Sequence, residues 1–217
     1  MISQIQYISQ ADRSGSHIRN IKRALDAGCD WIQLRIKEQS LDFVRSEAAF
    51  AKVECEKYGA RLLINDYIHI AKEMDADGVH LGLTDDKISL AREILGVQKL
   101  IGGTANTLED VILRHTEGVD YVGLGPYAFT ATKAKLSPIL GLEGYRKILI
   151  GLQQAQVKTP IIAIGGLDEA AVKPLLELGI HGFAISGLLN TSESPVSLIS
   201  EIYHTINDYQ KNRVFEV

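Results

Sequence analysis

The chain has few of the features that mark secreted, membrane-spanning or thiol-dependent proteins. Its 217 residues include only two cysteines, Cys29 and Cys55, and their spacing fits no metal or redox motif. Residues 1–7 lack the charged and long apolar segments of a secretory signal. No apolar run approaches the roughly 18 residues that a membrane span needs. We therefore expect a cytoplasmic protein that has no membrane contact and keeps both thiols buried.

An excess of positive charge is also missing. Lys and Arg total 23, whereas Asp and Glu total 27, which gives a net charge of −4. Surfaces that bind nucleic acid are normally strongly basic, so we expect no nucleic-acid partner. Any site for an anion must therefore be built locally from a few side chains.

What the chain does contain is a regular series of short apolar runs. Hydrophobic residues make up 46% of the sequence, enough to form a large core in a single domain. The runs have the length and composition of buried strands. The predicted strands are Ile5–Ile8, Trp31–Leu34, Arg61–Ile64, Gly78–Leu81, Leu100–Gly102, Tyr121–Leu124, Pro160–Ile164 and Gly182–Ile185.

A segment with helical spacing of apolar residues follows each run. The predicted helices are His17–Ala27, Leu41–Tyr58, Ile68–Met74, Ile88–Leu95, Leu108–His115, Glu143–Gln153, Asp168–Leu178 and Pro195–Tyr209. Eight such units without a linker favour an α/β fold, a single (β/α)8 TIM barrel over residues 1–217. An open doubly wound sheet would use fewer strands and usually a Gly-x-Gly-x-x-Gly turn, and none follows Ile8.

Polar side chains at the carboxyl ends of the strands are the candidates for chemistry, because TIM barrels build their sites there. Gln33, Arg35 and Lys37 end strand two and fall on one side by period-two spacing. An amide, a guanidinium and an ammonium can together hold a polyanion. The alternative is that Arg35 and Lys37 are solvated charges at a strand end.

Carboxylates follow the next two strands. Asp66 comes after Asn65 at the end of strand three, and Asp85 and Asp86 follow strand four. Mg²⁺ in phosphate-ester chemistry is held by one or two carboxylates with phosphate oxygens and water, which predicts a magnesium site at Asp66 and Asp85. Taken alone, Asp66 could instead cap the next helix. His80 is predicted to pack or hydrogen-bond rather than to bind metal.

A long segment without periodicity follows strand six. It carries Thr130, Thr132 and Lys133, which suit the oxygens of a phosphorylated ligand, although a solvated surface loop is the alternative. After strand five, Thr104 or Asn106 could hydrogen-bond a heterocycle or simply begin a helix.

Glycines follow the last two strands, in Ile164-Gly165-Gly166 and Ile185-Ser186-Gly187. Backbone amides at this place form the phosphate site of many TIM barrels. The alternative is that the glycines serve only to make turns. Together with the charges of strand two, this gives two separate anion sites and so predicts two phosphorylated substrates.

Taken in order, the motifs resemble the thiamine phosphate synthase (thiamine-phosphate pyrophosphorylase) family. The resemblance covers strands two to eight through Gln33-Leu34-Arg35 with Lys37, Ile64-Asn65-Asp66, Gly78-Val79-His80-Leu81-Gly82 with Asp85, Ile101-Gly102, Gly125-Pro126 with Thr130-Ala131-Thr132-Lys133, Gly141-Leu142-Glu143, Ala163-Ile164-Gly165-Gly166 and Ile185-Ser186.

The resemblance implies that a pyrimidine diphosphate is coupled to a thiazole phosphate by a dissociative, Mg²⁺-assisted transfer. Asp66 and Asp85 would bind the metal, and Arg35, Lys37, Lys133 and Thr104 would be catalytic. The implied substrate-binding residues are Gln33, Asn65, Thr104, Thr130, Thr132, Lys133, Gly166, Ile185 and Ser186.

The chain departs from the family at several positions. Gly103 stands where Val is usual, Thr104 where Ser is usual, Asn106 where His is frequent, Leu83 where Gln is common, Ile36 at a charged position and Tyr127-Ala128-Phe129 with a rearranged aromatic order. Thr retains a hydroxyl for the pyrimidine. Rival interpretations are a thiazole tautomerase, a non-catalytic phosphate-binding barrel and an aldolase or isomerase. The sequence is also compatible with a homo-oligomer.

Overall fold

The computed structural model describes residues 2–130 and 138–214. Thr132 and Lys133 therefore lie outside the described residues. Each parallel strand pairs with the next in sequence order, and the last pairs with the first, so the sheet closes into a barrel. The predicted (β/α)8 fold is confirmed. The strands are β1 Ile5–Ile8, β2 Trp31–Leu34, β3 Arg61–Asn65, β4 Gly78–Leu81, β5 Leu100–Ala105, β6 Tyr121–Leu124, β7 Ile161–Ile164 and β8 Gly182–Ile185.

The helices lie close to their predicted bounds. They are α1 Ile18–Asp26, α2 Leu41–Tyr58, α3 Ile68–Glu73, α4 Ile88–Leu95, α5 Leu108–Thr116, α6 Gly141–Gln154, α7 Glu169–Glu177, α8 Gly187–Thr191 and α9 Pro195–Val214. The short α8 was not predicted, because five residues carry too little periodicity to be recognised. None of the helices in the described part of the chain is long and apolar enough to cross a bilayer.

Strand β5 runs three residues beyond its predicted end. The predicted strand ended at Gly102, but Gly103 also pairs with β6, and Thr104 pairs with Gly123. A Cβ atom on Gly102 would overlap the ring of Tyr121. Gly102 thus makes room for an aromatic ring inside the barrel, and Thr104 lies within the strand rather than after it.

The barrel interior changes from apolar to polar towards the carboxyl ends of the strands. Trp31 and Tyr121 pack edge to face with ring centroids 4.8 Å apart, within an apolar cluster that includes Leu63 and Ile162. Two residues further along β2 and β3, the inward positions hold the buried amides of Gln33 and Asn65. The polar layer forms the floor of the candidate site. Cys29 and Cys55 are free and buried, as predicted.

Candidate active site

Two carboxylates meet at the carboxyl ends of β3 and β4. Asp66 directly follows β3 in a left-handed conformation, with φ of 67°, and its backbone N–H donates to the carbonyl of His80 at 2.9 Å. Its side chain is hydrogen-bonded to that of Asp85. The Gly82 N–H donates to Asp85 Oδ2 at 2.6 Å. Asp66 does not cap α3, whose N-cap residue is Tyr67 without a side-chain cap.

The Asp66 carboxyl holds its proton more tightly than an ordinary aspartate does, because its pKa is raised. Burial and the hydrogen bond to Asp85 raise the pKa of Asp66 to about 6, although Lys37 opposes the shift. Burial also acts to raise the pKa of Asp85, but the hydrogen bonds from Asp66 and from the Gly82 N–H outweigh it and leave that pKa below its usual value. When the pH falls through about 6, the pair therefore takes up its first proton on Asp66.

Two cationic side chains flank this pair. Lys37 Nζ forms an ion pair with Asp66 Oδ2. Burial lowers the pKa of Arg35, and the charges of Asp66 and Asp85 oppose that shift, so the guanidinium lies within their field. The backbone N–H of Arg35 donates to Ser9 Oγ at 3.0 Å. The structure thus brings the predicted residues of three strand ends together.

Buried donors without partners lie beside the charged groups. Gln33 is 1% exposed and Asn65 is 5% exposed. Neither Gln33 Nε2 nor Asn65 Nδ2 has a hydrogen-bond partner among the residues that the structure describes. Because a buried N–H group without a partner is costly, two such donors at neighbouring strand ends indicate a site for a ligand with acceptor atoms.

A chain of hydrogen bonds crosses the floor of the site. Gln6 Nε2 donates to Tyr121 Oη at 3.0 Å, and Tyr121 Oη lies 2.9 Å from His80 Nδ1. His80 Nε2 lies 3.0 Å from Thr104 Oγ1. The prediction that His80 serves in hydrogen bonding is confirmed. Gln6 and Tyr121 belong to this network, although no sequence motif includes them. The signal in the sequence is that each is a polar residue at an inward position of an otherwise apolar strand.

A cavity opens on the other side of the barrel mouth, at the ends of β7 and β8. Its walls include Ser9, Arg35, Thr130, Gly166, Ile185 and Ser186. The segment after β6 is fixed across it, because the Tyr127 N–H donates to the Ile164 carbonyl and the Ala128 N–H donates to the Gly165 carbonyl, each at 2.9 Å. Ser186 Oγ donates to the Ile8 carbonyl at 2.5 Å. Ser9 is a wall residue that no sequence motif indicates.

A metal at Asp66 and Asp85 would need ligands beyond protein. The described residues contain no cluster of three or more His, Cys, Asp or Glu side chains that could hold a metal ion. The adjacent side chains of Asp66 and Asp85 fit a divalent cation whose remaining ligands are water and substrate oxygens, as Mg²⁺ prefers. The Asn106 side-chain amide donates a hydrogen bond to the Gly125 carbonyl and so stabilises the start of the segment that follows β6.

Two curated proteins of the same name are similar to this chain over most of its length. The chain is 48% identical over 204 residues to thiamine-phosphate synthase of Flavobacterium johnsoniae, covering 93% of this chain and 95% of that protein. It is 43% identical over 192 residues to the Bacteroides fragilis (strain YCH46) protein of the same name, covering 88% and 94%.

Solved structures show the same barrel. Thiamine phosphate pyrophosphorylase from Pyrococcus furiosus superposes with a TM-score of 0.79 at 28% identity, covering 95% of this chain and 96% of that chain. The Bacteroides thetaiotaomicron protein of that name gives a TM-score of 0.63 at 18% identity, which shows the fold alone. The sequence model described as thiamine monophosphate synthase matches residues 6–189. The chain therefore belongs to the thiamine monophosphate synthase family.

Proposed function

We propose that this enzyme joins 4-amino-2-methyl-5-hydroxymethylpyrimidine diphosphate to a thiazole phosphate and releases pyrophosphate and thiamine phosphate. The observation that carries the proposal is the contact between Asp66 and Asp85, flanked by Lys37 and Arg35. A carboxylate pair beside two cations suits a diphosphate that brings its own cation. The whole chain would act as one catalytic domain in the cytoplasm, which is consistent with two buried free thiols.

Mg²⁺ is the proposed cofactor, held by Asp66 and Asp85. When bound, it would neutralise negative charge on the leaving diphosphate. Arg35, Lys37 and Lys133 would bind the same diphosphate. The side-chain amides of Gln33 and Asn65 would donate hydrogen bonds to it, because neither amide nitrogen has a partner among the described residues.

The transfer that these residues support is dissociative. The carbon–oxygen bond to the diphosphate breaks, and its electron pair leaves with pyrophosphate. The lone pair of the thiazole nitrogen then forms the new bond to the pyrimidinylmethyl cation, so no proton has to be removed by a base. Thr104, tied to His80 at 3.0 Å, would orient the pyrimidine. Preorganised positive charge around the leaving group lowers the barrier.

The thiazole phosphate would occupy the second cavity. Thr130, Gly166, Ile185 and Ser186 line it, and Thr132 would complete the phosphate contacts. Arg35 lines this cavity and also lies in the field of Asp66 and its partner carboxylate. Arg35 would therefore lie between the two proposed anion sites, where its guanidinium could contact both substrates.

The decisive experiment is a coupled incubation with both substrates and Mg²⁺, followed by oxidation and fluorescence detection of thiamine phosphate. Product should form only when both substrates and the metal are present, and EDTA should stop it. Rearrangement of the thiazole phosphate without coupling would instead identify a tautomerase. Substrate binding without any turnover, and with an affinity indifferent to magnesium, would identify a binding protein.

The Gln33→Met variant tests whether Gln33 contributes to substrate binding and not to the stability of the fold. Gln33 Nε2 has no hydrogen-bond partner among the described residues, so the substitution breaks no hydrogen bond of that nitrogen. We therefore expect the free energy of unfolding to change by less than about 1 kcal/mol. The KM for the pyrimidine diphosphate should rise about tenfold, because one hydrogen bond to a charged ligand is lost. Chemical denaturation and steady-state kinetics check the two halves. An unchanged KM would remove Gln33 from the proposed site.

A further inference from the structure

A buried arginine from the outer helix layer reaches the rim of the site. Arg114, in α5, is 4% exposed. Its Nη2 donates to the Gly82 carbonyl at 2.7 Å, and its Nε donates to the Thr104 carbonyl at 3.2 Å. Nη1 forms an ion pair with Glu117 at 2.8 Å. One guanidinium thus bridges the carboxyl ends of β4 and β5.

Hydrogen bonds hold Gly82, the residue after β4, at both its N–H and its carbonyl. Gly82 gives its N–H to Asp85 Oδ2 at 2.6 Å and accepts the Arg114 bond on its carbonyl. The Asp85 N–H also donates to that carbonyl at 3.4 Å. A shift of Gly82 would therefore move the Asp85 carboxylate. At the β5 end, Arg114 holds the backbone of Thr104, whose hydroxyl contacts His80.

The glycine before Thr104 makes this reach sterically feasible. A Cβ atom on Gly103 would lie 2.8 Å from Arg114 Cδ and 3.1 Å from Nε. These distances are shorter than ordinary carbon contacts, so any side chain at position 103 would displace the arginine. The absence of a side chain at Gly103 and the position of the buried Arg114 thus depend on each other.

We infer that Arg114 is a positioning residue that holds the Asp85 carboxylate and the Thr104 hydroxyl in register for the pyrimidine diphosphate and its cation. The inference rests on the proposed function. Arg114 acts through backbone carbonyls and touches no reacting atom. Partners that orient metal ligands typically change metal affinity by about 10- to 100-fold when removed.

The test compares Arg114→Met with Arg92→Met. Arg92 is a matched control because it also bridges backbone carbonyls, donating to Lys99 at 2.7 Å and Gly96 at 3.2 Å, and pairs with Asp120. These groups flank the opposite, amino-terminal end of β5. Both variants should lose comparable thermal stability. Only Arg114→Met should weaken Mg²⁺–pyrophosphate binding in calorimetry and raise the KM for the pyrimidine diphosphate, each by about tenfold, with the KM for the thiazole phosphate unchanged.

A second variant guards against simple misfolding. Gly103→Ala keeps the arginine but displaces its side chain, so it should shift the same two constants in the same direction. Wild-type constants for Mg²⁺–pyrophosphate and for the diphosphate in both Gly103→Ala and Arg114→Met would overturn the inference, as would an equal effect of Arg92→Met. Failure of the proposed function shows up separately, as absence of thiamine phosphate from the unmutated enzyme.

Discussion

Asp66→Asn should reduce magnesium-dependent turnover by about a thousandfold or more while the protein remains folded. Asn has the same shape and tolerates the left-handed backbone at φ of 67°, so the turn after β3 can persist. What disappears is the ability to release a proton and bind a cation together with Asp85. Steady-state kinetics and calorimetric titration of Mg²⁺ measure the two losses independently.

The same substitution should not reduce the stability of the metal-free protein. The pKa of Asp66 rises from 3.8 to about 6 on folding, so this carboxyl favours the folded state at low pH. That contribution is lost as the pH rises through about 6. At neutral pH the ionised carboxylate beside Asp85 is thus a cost that Asn removes, offset in part by the lost ion pair with Lys37. Thermal unfolding in EDTA checks this sign.

Asp86→Asn is the matched control for this prediction. Asp86 is the exposed neighbour of Asp85 in the same loop, so the substitution removes a nearby negative charge without touching the carboxylate pair. It should leave turnover and Mg²⁺ affinity near wild type. Full activity of Asp66→Asn, or equal losses in both variants, would contradict the assignment of the metal site to Asp66.

The strand–helix alternation was predictable because each strand is buried on both faces and so appears as an unbroken apolar run. The barrel closure follows from eight such units. The end of β5 was not predictable, since the apolar run stops at the two glycines, Gly102 and Gly103. Glycine is required at both positions for steric reasons, because Gly102 leaves room for Tyr121 and Gly103 leaves room for Arg114. Both neighbours are distant in sequence, so local patterns contain no trace of them.

Part of the candidate site was likewise predictable from the sequence, and part was not. Strand-end positions brought Gln33, Arg35, Asp66 and Asp85 into one region, because parallel strands end at the same rim. Sequence spacing could not show that the side chains of Asp66 and Asp85 are adjacent, which depends on the positive φ of Asp66 and on the hydrogen bond from the Gly82 N–H. Thr132 and Lys133 lie outside the described residues and remain predictions.

Gly166→Ala should raise the KM for the thiazole phosphate about tenfold or more and destabilise the fold by about 2–4 kcal/mol. Gly166 has φ of 68°, where a Cβ atom is strained. That atom would also lie 2.6 Å from the Phe129 carbonyl oxygen and 2.7 Å from the Ala128 carbonyl carbon. Backbone atoms cannot rotate away, so the segment leading to Thr130 must move, and the cavity changes shape. Kinetics with varied thiazole phosphate and chemical denaturation measure the two effects.

Gly179→Ala separates backbone strain from collision. Gly179 has φ of 95°, and a Cβ atom there would meet nothing within 4 Å. It follows α7 at the amino-terminal end of the barrel, away from both anion sites. The control should therefore show only the strain component, about 1–2 kcal/mol, with both KM values unchanged. An unchanged KM for the thiazole phosphate in Gly166→Ala would show that the cavity at β7 and β8 is not the acceptor site.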